Sequence, residues 1–227
     1  MYAKYFKRVI DFALSLICLI VLSPIFLILI VLGTIFMRGN PFFMQLRPGK
    51  DEKIFKLIKF RTMSNAKDKD GKLLPDDKRL NGYGKFLRST SLDELPELFN
   101  IMKGDMAVIG PRPQLVRDMV FMNSEQRKRH TVRPGLSGLA QVNGRNVITW
   151  EDKLAWDLRY IEKITFIGDM RLIFQTIGKV LKRADINREG TASDMDFGDY
   201  LLAKGAVSGE EYEMMQHKAK KLLAGVR

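Results

Sequence analysis

An uncharged apolar run near the N-terminus limits what this chain can fold into more than any other feature. It extends from Ala13 to Phe36, and a single α-helix of that length would measure about 36 Å, enough to cross a bilayer core of about 30 Å. Ser23 and Pro24 interrupt the run at its centre. Proline lacks an N–H and its ring clashes with the carbonyl four residues earlier, here that of Ile20, so we predict a sharp bend. Each arm would be about 17 to 20 Å long, too short to span.

The charges that flank the run bear on its topology. Lys7 and Arg8 precede it, while Arg38 and Arg47 follow it, so the preference of positive charge for the cytoplasmic side pulls both ends the same way. A re-entrant anchor satisfies both flanks, but a kinked spanning helix stays open as an alternative. The run is longer than the apolar stretch of about 7 to 15 residues in a signal peptide, so we expect it to be retained. We expect Lys7 and Arg8 to contact lipid headgroups.

The excess of basic residues predicts a polyanionic partner. The 227-residue chain carries a formal net charge of +12, which suits a phospholipid surface, nucleic acid or a phosphorylated substrate. Its one cysteine, Cys18, lies inside the apolar run, so no disulfide can form within the chain and nothing indicates an oxidising compartment. We therefore expect the part after the anchor to lie in the cytosol.

The sequence after the anchor contains both strand-like and helix-like segments. Strand-like patterns cover 52–63 and 106–110. Helix-like patterns cover 90–105, 114–130, 149–163 and 169–185. The first of these helices is predicted to end at Gly104, and the last is basic and amphipathic, typical of a helix that lies on a membrane surface or on the domain core. Together the patterns predict a mixed α/β fold of the α+β type, rich in helix with a small sheet.

Common catalytic motifs are absent from the sequence. It contains no phosphate-binding P-loop, no serine nucleophile elbow and no zinc-protease motif, and with only two histidines a histidine-based metal cluster is excluded. Two D-x-D triplets, at 68–70 and 194–196, have the form of the metal motif of nucleotide-sugar glycosyltransferases. Because they lie in a charged loop and a polar tail, we interpret them as solvated surface.

Two adjacent carboxylates, Asp93 and Glu94, are the strongest candidates for chemistry. Ser91 and Glu94 have the spacing of a capping box, so simple helix capping is the plainest interpretation. A helix N-terminus would also stabilise carboxylates and attract phosphates. A carboxylate nucleophile, a second carboxylate for a divalent metal and several cations suit phosphoryl transfer. The candidate cations are Lys59, Arg61, Arg88, Arg145 and Arg112, which stands between two prolines.

Several long motifs lie in order over about residues 1–188: KRVIDF, LSPI, IFKLIKFRTM, SLDELPELFNIMKGDM, IGPRP, RPGLSGLAQVNGR and W-x₅-WDLRYIEK. Together they resemble the bacterial sugar transferase family and, within it, the small monotopic phosphoglycosyl transferases. The resemblance implies a re-entrant membrane anchor at 1–38, broken at Ser23 and Pro24. It implies a catalytic domain at 39–188 with interfacial amphipathic helices, on the cytoplasmic face of the bacterial inner membrane. The C-terminal part, 189–227, matches nothing and is expected to be an appendage of unknown role.

The resemblance also implies an activity. Family members transfer a phospho-sugar from a UDP-sugar to undecaprenyl phosphate and release UMP, through a covalent intermediate on an aspartate that matches Asp93. Glu94 matches the glutamate that helps to hold Mg²⁺. The positions expected to bind substrate phosphates and the donor are Lys59, Arg88, Arg112, Arg145 and Asp157.

Two other functions stay open on the sequence. A basic, membrane-tethered module that binds lipid or nucleic acid would account for the net charge, but it would not need Asp93 and Glu94; we expect membrane phospholipids, not nucleic acid, as a partner. A metal-dependent glycosyltransferase without a covalent step would use a D-x-D triplet and release UDP. The released nucleotide separates the two enzymes. The identity of the sugar and the oligomeric state are not predicted.

Overall fold

The N-terminal apolar run forms two helices that meet at an angle. In the computed structural model, which describes residues 1–144, 148–182 and 195–226, a π-helical turn over Tyr2–Phe6 leads into α1 (Lys7–Val21), and α2 (Ser23–Phe36) follows directly. The two arms are bent by 67° relative to each other. Within the described ranges no single helix is long and apolar enough to cross a bilayer; the bent pair meets that test only jointly, by length and composition.

The predicted break at Ser23 and Pro24 is confirmed. Pro24 cannot donate a hydrogen bond to the carbonyl of Ile20, and Ser23 Oγ donates to that carbonyl instead, at 2.8 Å. The Leu22 N–H still reaches the Cys18 carbonyl at 2.8 Å. The Ser23 hydroxyl therefore replaces the main-chain hydrogen bond that Pro24 cannot donate to the Ile20 carbonyl.

Most of the described chain after the anchor is helical, and the two longest helices lie beyond residue 148. The helices are α3 (Asp76–Arg79), α4 (Gly82–Thr90), α5 (Glu97–Lys103), α6 (Val116–Met119), α7 (Ser124–Arg127), α8 (Leu139–Val142), α9 (Trp150–Glu162), α10 (Phe166–Lys182), α11 (Phe197–Ala203) and α12 (Gly209–Ala224). Short 3₁₀ turns lie at Lys50–Glu52, Leu92–Glu94 and Lys128–Thr131. The helix predicted over 114–130 is divided, because Asn123 caps a new helix start with its side chain.

Two small sheets complete the helix-rich α+β fold. β1 (Phe42–Pro48) and β2 (Ile54–Phe60) form an antiparallel hairpin in which Phe42 faces Phe60. β3 (Ala107–Ile109) and β4 (Gly135–Ser137) pair in parallel. Both predicted strands are confirmed, whereas their partners β1 and β4 were not predicted.

The anchor shares its core with the rest of the chain. Phe26 and Leu29 of α2 pack in one buried cluster with Phe60, Tyr83 and Leu87. The Tyr83 hydroxyl donates to the Leu29 carbonyl at 2.9 Å. The other faces of α1 and α2 carry exposed apolar side chains, which include Val9, Ile17, Ile20, Val21, Leu27, Ile28, Val31 and Ile35.

The C-terminal segment, described over 195–226, packs on the part of the chain between the anchor and residue 182. The ring of Phe197 stands 5.0 Å from that of Trp150, and the Phe197 N–H donates to the buried Asp118 carboxylate at 2.9 Å. On α12, Ala219 joins the buried cluster of Val116 and Met119. The segment therefore contributes to the core, although it lies beyond the motifs recognised in the sequence.

Candidate active site

Asp93 and Glu94 lie in a one-turn 3₁₀ segment between α4 and α5. Ser91, with φ at 56°, turns the chain out of α4, and Pro96 stands at the N-cap of α5. The predicted end of α5 at Gly104 is confirmed, with φ at 98°. The predicted capping box is not formed. Ser91 has a left-handed backbone instead of the extended conformation of an N-cap and makes no side-chain cap hydrogen bond, and the Glu94 carboxylate accepts from Lys59 and Arg112.

Glu94 is the centre of a buried cluster of charges. Its Oε1 accepts from Lys59 Nζ at 2.9 Å and from Arg112 Nη2 at 2.7 Å. Lys59 also pairs with Glu97 Oε1 at 3.0 Å. Lys59 comes from β2, Arg112 from the turn after β3, and the two carboxylates from the start of α5 and the turn before it. The sequence predicted three of these residues to meet, and they do.

This arrangement of charges gives Asp93, Glu94 and Glu97 different pKa values. Arg112 and Lys59 hold the pKa of Glu94 well below its usual range and outweigh burial. Burial, with the nearby Glu94 charge, raises the pKa of Asp93 to about 6, and burial raises the pKa of Glu97 to about 7. At neutral pH Glu94 is therefore ionised and most of Asp93 is a carboxylate, available as a nucleophile.

The Arg112 turn is fixed by contacts on its main chain. The Gly135 N–H donates to the Pro111 carbonyl at 2.9 Å. Glycine is required there, since a Cβ on Gly135 would lie 2.1 Å from the nitrogen of Gly110. From the other side, Arg129 Nη2 donates to the Arg112 carbonyl at 2.6 Å. These contacts hold the turn that carries the Arg112 side chain toward Glu94.

Asp157 acts on this turn through Arg129. Its Oδ2 accepts from Arg129 Nε at 2.9 Å and from Nη2 at 2.6 Å, and both side chains are almost fully buried. Asp157 Oδ1 has no hydrogen-bond partner among the described residues. Asp157 was expected to bind substrate, and the structure assigns one of its oxygens to the positioning of Arg129.

A cleft of about 760 Å³ contains the cluster. Of the predicted site residues, Lys59, Arg88, Asp93, Glu94, Arg112 and Asp157 line it. Arg88 Nε donates to Thr62 Oγ1 at 3.1 Å. That places its guanidinium beside the loop that follows β2.

Two of the predicted positions, Lys7 and Arg8, do not line the cleft. Their donors are used within the protein: Lys7 Nζ contacts Asp169 Oδ2 at 2.6 Å, and Arg8 donates to the carbonyls of Ile101 and Met102. Their contact with lipid stays a prediction. Arg145 lies outside the described residues, as does Asp194 of the second D-x-D triplet.

Glu97 and Arg129 are site residues that the sequence did not predict. Glu97 follows Glu94 by three positions, the spacing that puts two side chains on one face of a helix. This spacing could therefore have predicted Glu97 as a site residue. Arg129 carried no local signal, because its role depends on contacts with residues 17 and 28 positions away.

One carboxylate of the cluster, that of Glu94, is suited to binding Mg²⁺. No group of three or more His, Cys, Asp or Glu side chains suited to a metal ion occurs in the described part of the chain. Mg²⁺, however, is commonly held by one or two carboxylates together with substrate phosphates and water. The ionised Glu94 carboxylate, with both of its described hydrogen bonds on Oε1, fits that mode of binding.

The chain is similar in sequence to known sugar transferases. The sequence model of the family described as "bacterial sugar transferase" matches residues 2–183. The uncharacterized sugar transferase EpsL of Bacillus subtilis is 41% identical over 175 residues, which cover 77% of this chain and 87% of that protein.

Two longer relatives have names that describe a reaction. The UDP-glucose:undecaprenyl-phosphate glucose-1-phosphate transferase of Klebsiella pneumoniae is 39% identical over 77% of this chain, and the undecaprenyl-phosphate galactose phosphotransferase of Salmonella typhimurium is 33% identical over 80%. The match covers 40% and 41% of these two proteins, respectively.

Proposed function

The chain belongs to the bacterial sugar transferase family, and on that premise we propose that it transfers a phospho-sugar from a UDP-sugar to undecaprenyl phosphate, giving undecaprenyl diphosphate-sugar and UMP. The proposal extends to this chain the reaction in the names of the Klebsiella and Salmonella relatives. The main observation in support is the position of Asp93, a partly buried carboxylate that lines the same cleft as Glu94, Lys59 and Arg112.

The first half-reaction uses Asp93 as the nucleophile. A carboxylate oxygen forms a bond to the phosphorus that bears the sugar, and the bond from that phosphorus to the bridging oxygen breaks, so UMP leaves with the electron pair. Lys59 and Arg112 offer positive charge where the phosphate charge redistributes. The products are UMP and an aspartyl phospho-sugar.

The second half-reaction regenerates the enzyme. A phosphate oxygen of undecaprenyl phosphate attacks the same phosphorus, and the bond from phosphorus to the Asp93 oxygen breaks, which restores the carboxylate. Because the phosphate groups of donor and acceptor occupy one site in turn, a single cluster of cations serves both steps. A ping-pong kinetic pattern follows from this order.

Mg²⁺ is the proposed cofactor, held by Glu94 and by the donor diphosphate. When bound, it would supply Lewis-acid stabilisation of phosphate charge. The cations already paired with Glu94 keep that carboxylate ionised, so it is ready to bind a metal ion without first losing a proton.

The membrane is the proposed source of the acceptor. The exposed apolar faces of α1 and α2, together with Ile167, Phe174 and Leu181 on α10, suit a domain that rests on a bilayer with a re-entrant anchor. We place the catalytic part on the cytoplasmic face of the inner membrane. This position would bring the cleft to the depth of a polyprenyl phosphate headgroup.

The test is the release of nucleotide without an acceptor. The full-length protein in detergent with Mg²⁺ and a UDP-sugar should release about one equivalent of UMP per active site and carry a phospho-sugar mass on the peptide that contains Asp93. Asp93→Asn should abolish both. Asp70→Asn, which alters the D-x-D triplet in the described loop, is the matched control and should change neither.

Two results would contradict the proposal. Release of UDP, sensitive to Asp70→Asn, would favour a glycosyltransferase without a covalent step. UMP that forms only when undecaprenyl phosphate is present, with no adduct on any peptide, would favour direct transfer between the two bound substrates.

A further inference from the structure

The cleft continues beyond the charge cluster, toward α8, α9 and the C-terminal segment. Gln141 of α8 and Asp157 of α9 line it there, and Met195 and Asp196 of the C-terminal segment form another part of its wall. The Met195 carbonyl is held by Trp150 Nε1 at 2.9 Å. This part of the cleft is therefore built from three separate stretches of chain and has a fixed wall.

Polar groups in this part of the cleft have unused hydrogen-bonding capacity. Gln141 is 8% exposed, and within the described residues neither Oε1 nor Nε2 has a partner. Asp157 Oδ1 is also buried without one. Buried polar groups are almost always paired in folded proteins, because leaving one unpaired is costly. Three such atoms on two neighbouring elements of the cleft, α8 and α9, indicate a ligand that supplies both donors and acceptors.

The positions of Met195 and Asp196 in the sequence indicate which part of the donor they contact. The family model ends at residue 183, and relatives that match 77% and 80% of this chain are named for different sugars, glucose and galactose. Met195 and Asp196 lie beyond the residues that the family model matches. A wall outside the shared region is suited to the part of the substrate that differs between relatives, which is the sugar.

We propose that Gln141, Asp157 Oδ1 and Asp196 form the subsite that binds the hydroxyl groups of the donor sugar, and that the C-terminal segment sets which sugar is accepted. The proposal rests on the proposed function. An amide offers a donor and an acceptor at once, and carboxylates accept from hydroxyl groups. Asp196 also forms an ion pair with Arg117 of α6, so a structural role of that ion pair has to be separated from contact with the sugar.

The experiment compares donor selectivity in variants of the full-length protein. UMP release is measured with UDP-glucose, UDP-galactose and UDP-N-acetylglucosamine, and binding of UMP and of each UDP-sugar is measured by calorimetry. Gln141→Ala and Asp196→Ala should each lower kcat/KM for the preferred sugar about tenfold and reduce the preference over its epimer. The Kd of UMP, which lacks the sugar, should not change.

Arg117→Ala is the matched control for Asp196→Ala. It removes the same ion pair but leaves the Asp196 carboxylate in the cleft, and Arg117 does not line the cleft. If Arg117→Ala reproduces the loss of selectivity, Asp196 has only a structural role and the inference is wrong. Melting temperatures of all three variants report any general loss of fold.

Two further outcomes would overturn the inference. An equal loss of UMP affinity in Gln141→Ala would assign this part of the cleft to the nucleotide, and unchanged selectivity in both variants would remove the subsite altogether. If the wild-type protein releases no UMP from any UDP-sugar, the proposed function fails. Calorimetry with UDP-sugars would still decide whether these residues bind the sugar.

Discussion

Arg129 Nη2 and the main-chain oxygen of Arg112 are joined by a hydrogen bond of 2.6 Å. The same guanidinium is held by two hydrogen bonds to Asp157, so a buried ion pair fixes the main chain from which the Arg112 side chain reaches Glu94. Arginine provides this geometry because its planar group donates in two directions at once.

Arg129→Lys should therefore reduce activity through Arg112. Lysine keeps the charge but cannot hold Asp157 and the Arg112 carbonyl with the same fork, and a small displacement of a charge-stabilising group can lower the rate by about 10- to 100-fold. We expect a fall in kcat for UMP release with a much smaller change in KM. Arg127→Lys, which alters the neighbouring pair with Glu52, is the control and should retain activity. Equal losses in the two variants would exclude a specific effect on Arg112.

The first half-reaction should depend on pH through Asp93. Its pKa is raised to about 6, chiefly by burial and then by the Glu94 charge, and the ionised form is the proposed nucleophile. The rate of UMP release in a single turnover should therefore rise as the pH increases through about 6 and level off above about 7. Glu94→Gln should lower the midpoint, because it removes a negative charge that raises the pKa of Asp93.

Glu97→Gln separates this effect from a general change in charge. The raised pKa of Asp93 comes chiefly from burial and from the Glu94 charge, so the midpoint should stay near 6 in this variant even if the maximal rate changes. A profile that is flat from pH 5 to 8 in the wild-type protein would show that the ionisation of Asp93 does not limit the reaction.

Acid should destabilise the fold through His130. Burial lowers the pKa of its imidazole to about 4, with a contribution from Arg129, whereas the unfolded chain binds that proton near pH 6.5. Between these values the unfolded state holds more protons, so stability is present above about pH 6.5 and is lost as the pH falls toward 4, by up to roughly 3 kcal/mol. Unfolding in detergent at pH 4.5 to 7.5 measures the slope. His130→Gln should flatten it, whereas a substitution at the exposed His217 should not.

The topology of the anchor can be tested with single cysteines. In a Cys18→Ser background, Lys4→Cys and Asn40→Cys should react from the same side of the membrane as Lys220→Cys on α12 of the C-terminal segment. Pro24→Ala restores the main-chain donor to Ile20 and should move residue 4 to the opposite side in a fraction of molecules. Labelling of residue 4 from the opposite side in the wild-type protein would contradict the re-entrant anchor.

Local signals in the sequence predicted much of this structure. The break at Pro24, the end of α5 at Gly104 and the strand at 54–60 follow from the conformational limits of single residues or short patterns. The meeting of Lys59, Glu94 and Arg112 followed from their residue types and the family resemblance. For the break, the helix end and the strand, the signal lies in the residue itself or in its near neighbours.

The features that were not predicted depend on contacts between distant parts of the chain. Ser91 and Glu94 have the spacing of a capping box, but two cations from other elements bind the glutamate. Arg129 looks like one member of a basic surface run, yet it is almost fully buried. The C-terminal segment has a polar composition, and its packing rests on a few apolar residues such as Phe197 and Ala219.

Arg8 joins the anchor to the far end of α5, where it donates to the carbonyls of Ile101 and Met102. α5 begins at Glu97, three residues after the end of the 3₁₀ turn that contains Asp93 and Glu94, and its seven helical residues measure about 10 Å. This short helix is a rigid spacer between α1 and Asp93. In the proposed topology it sets the height of Asp93 above the hydrocarbon. The enzyme would then select an acceptor by how far its phosphate stands from the bilayer, whatever the length of the lipid chain below.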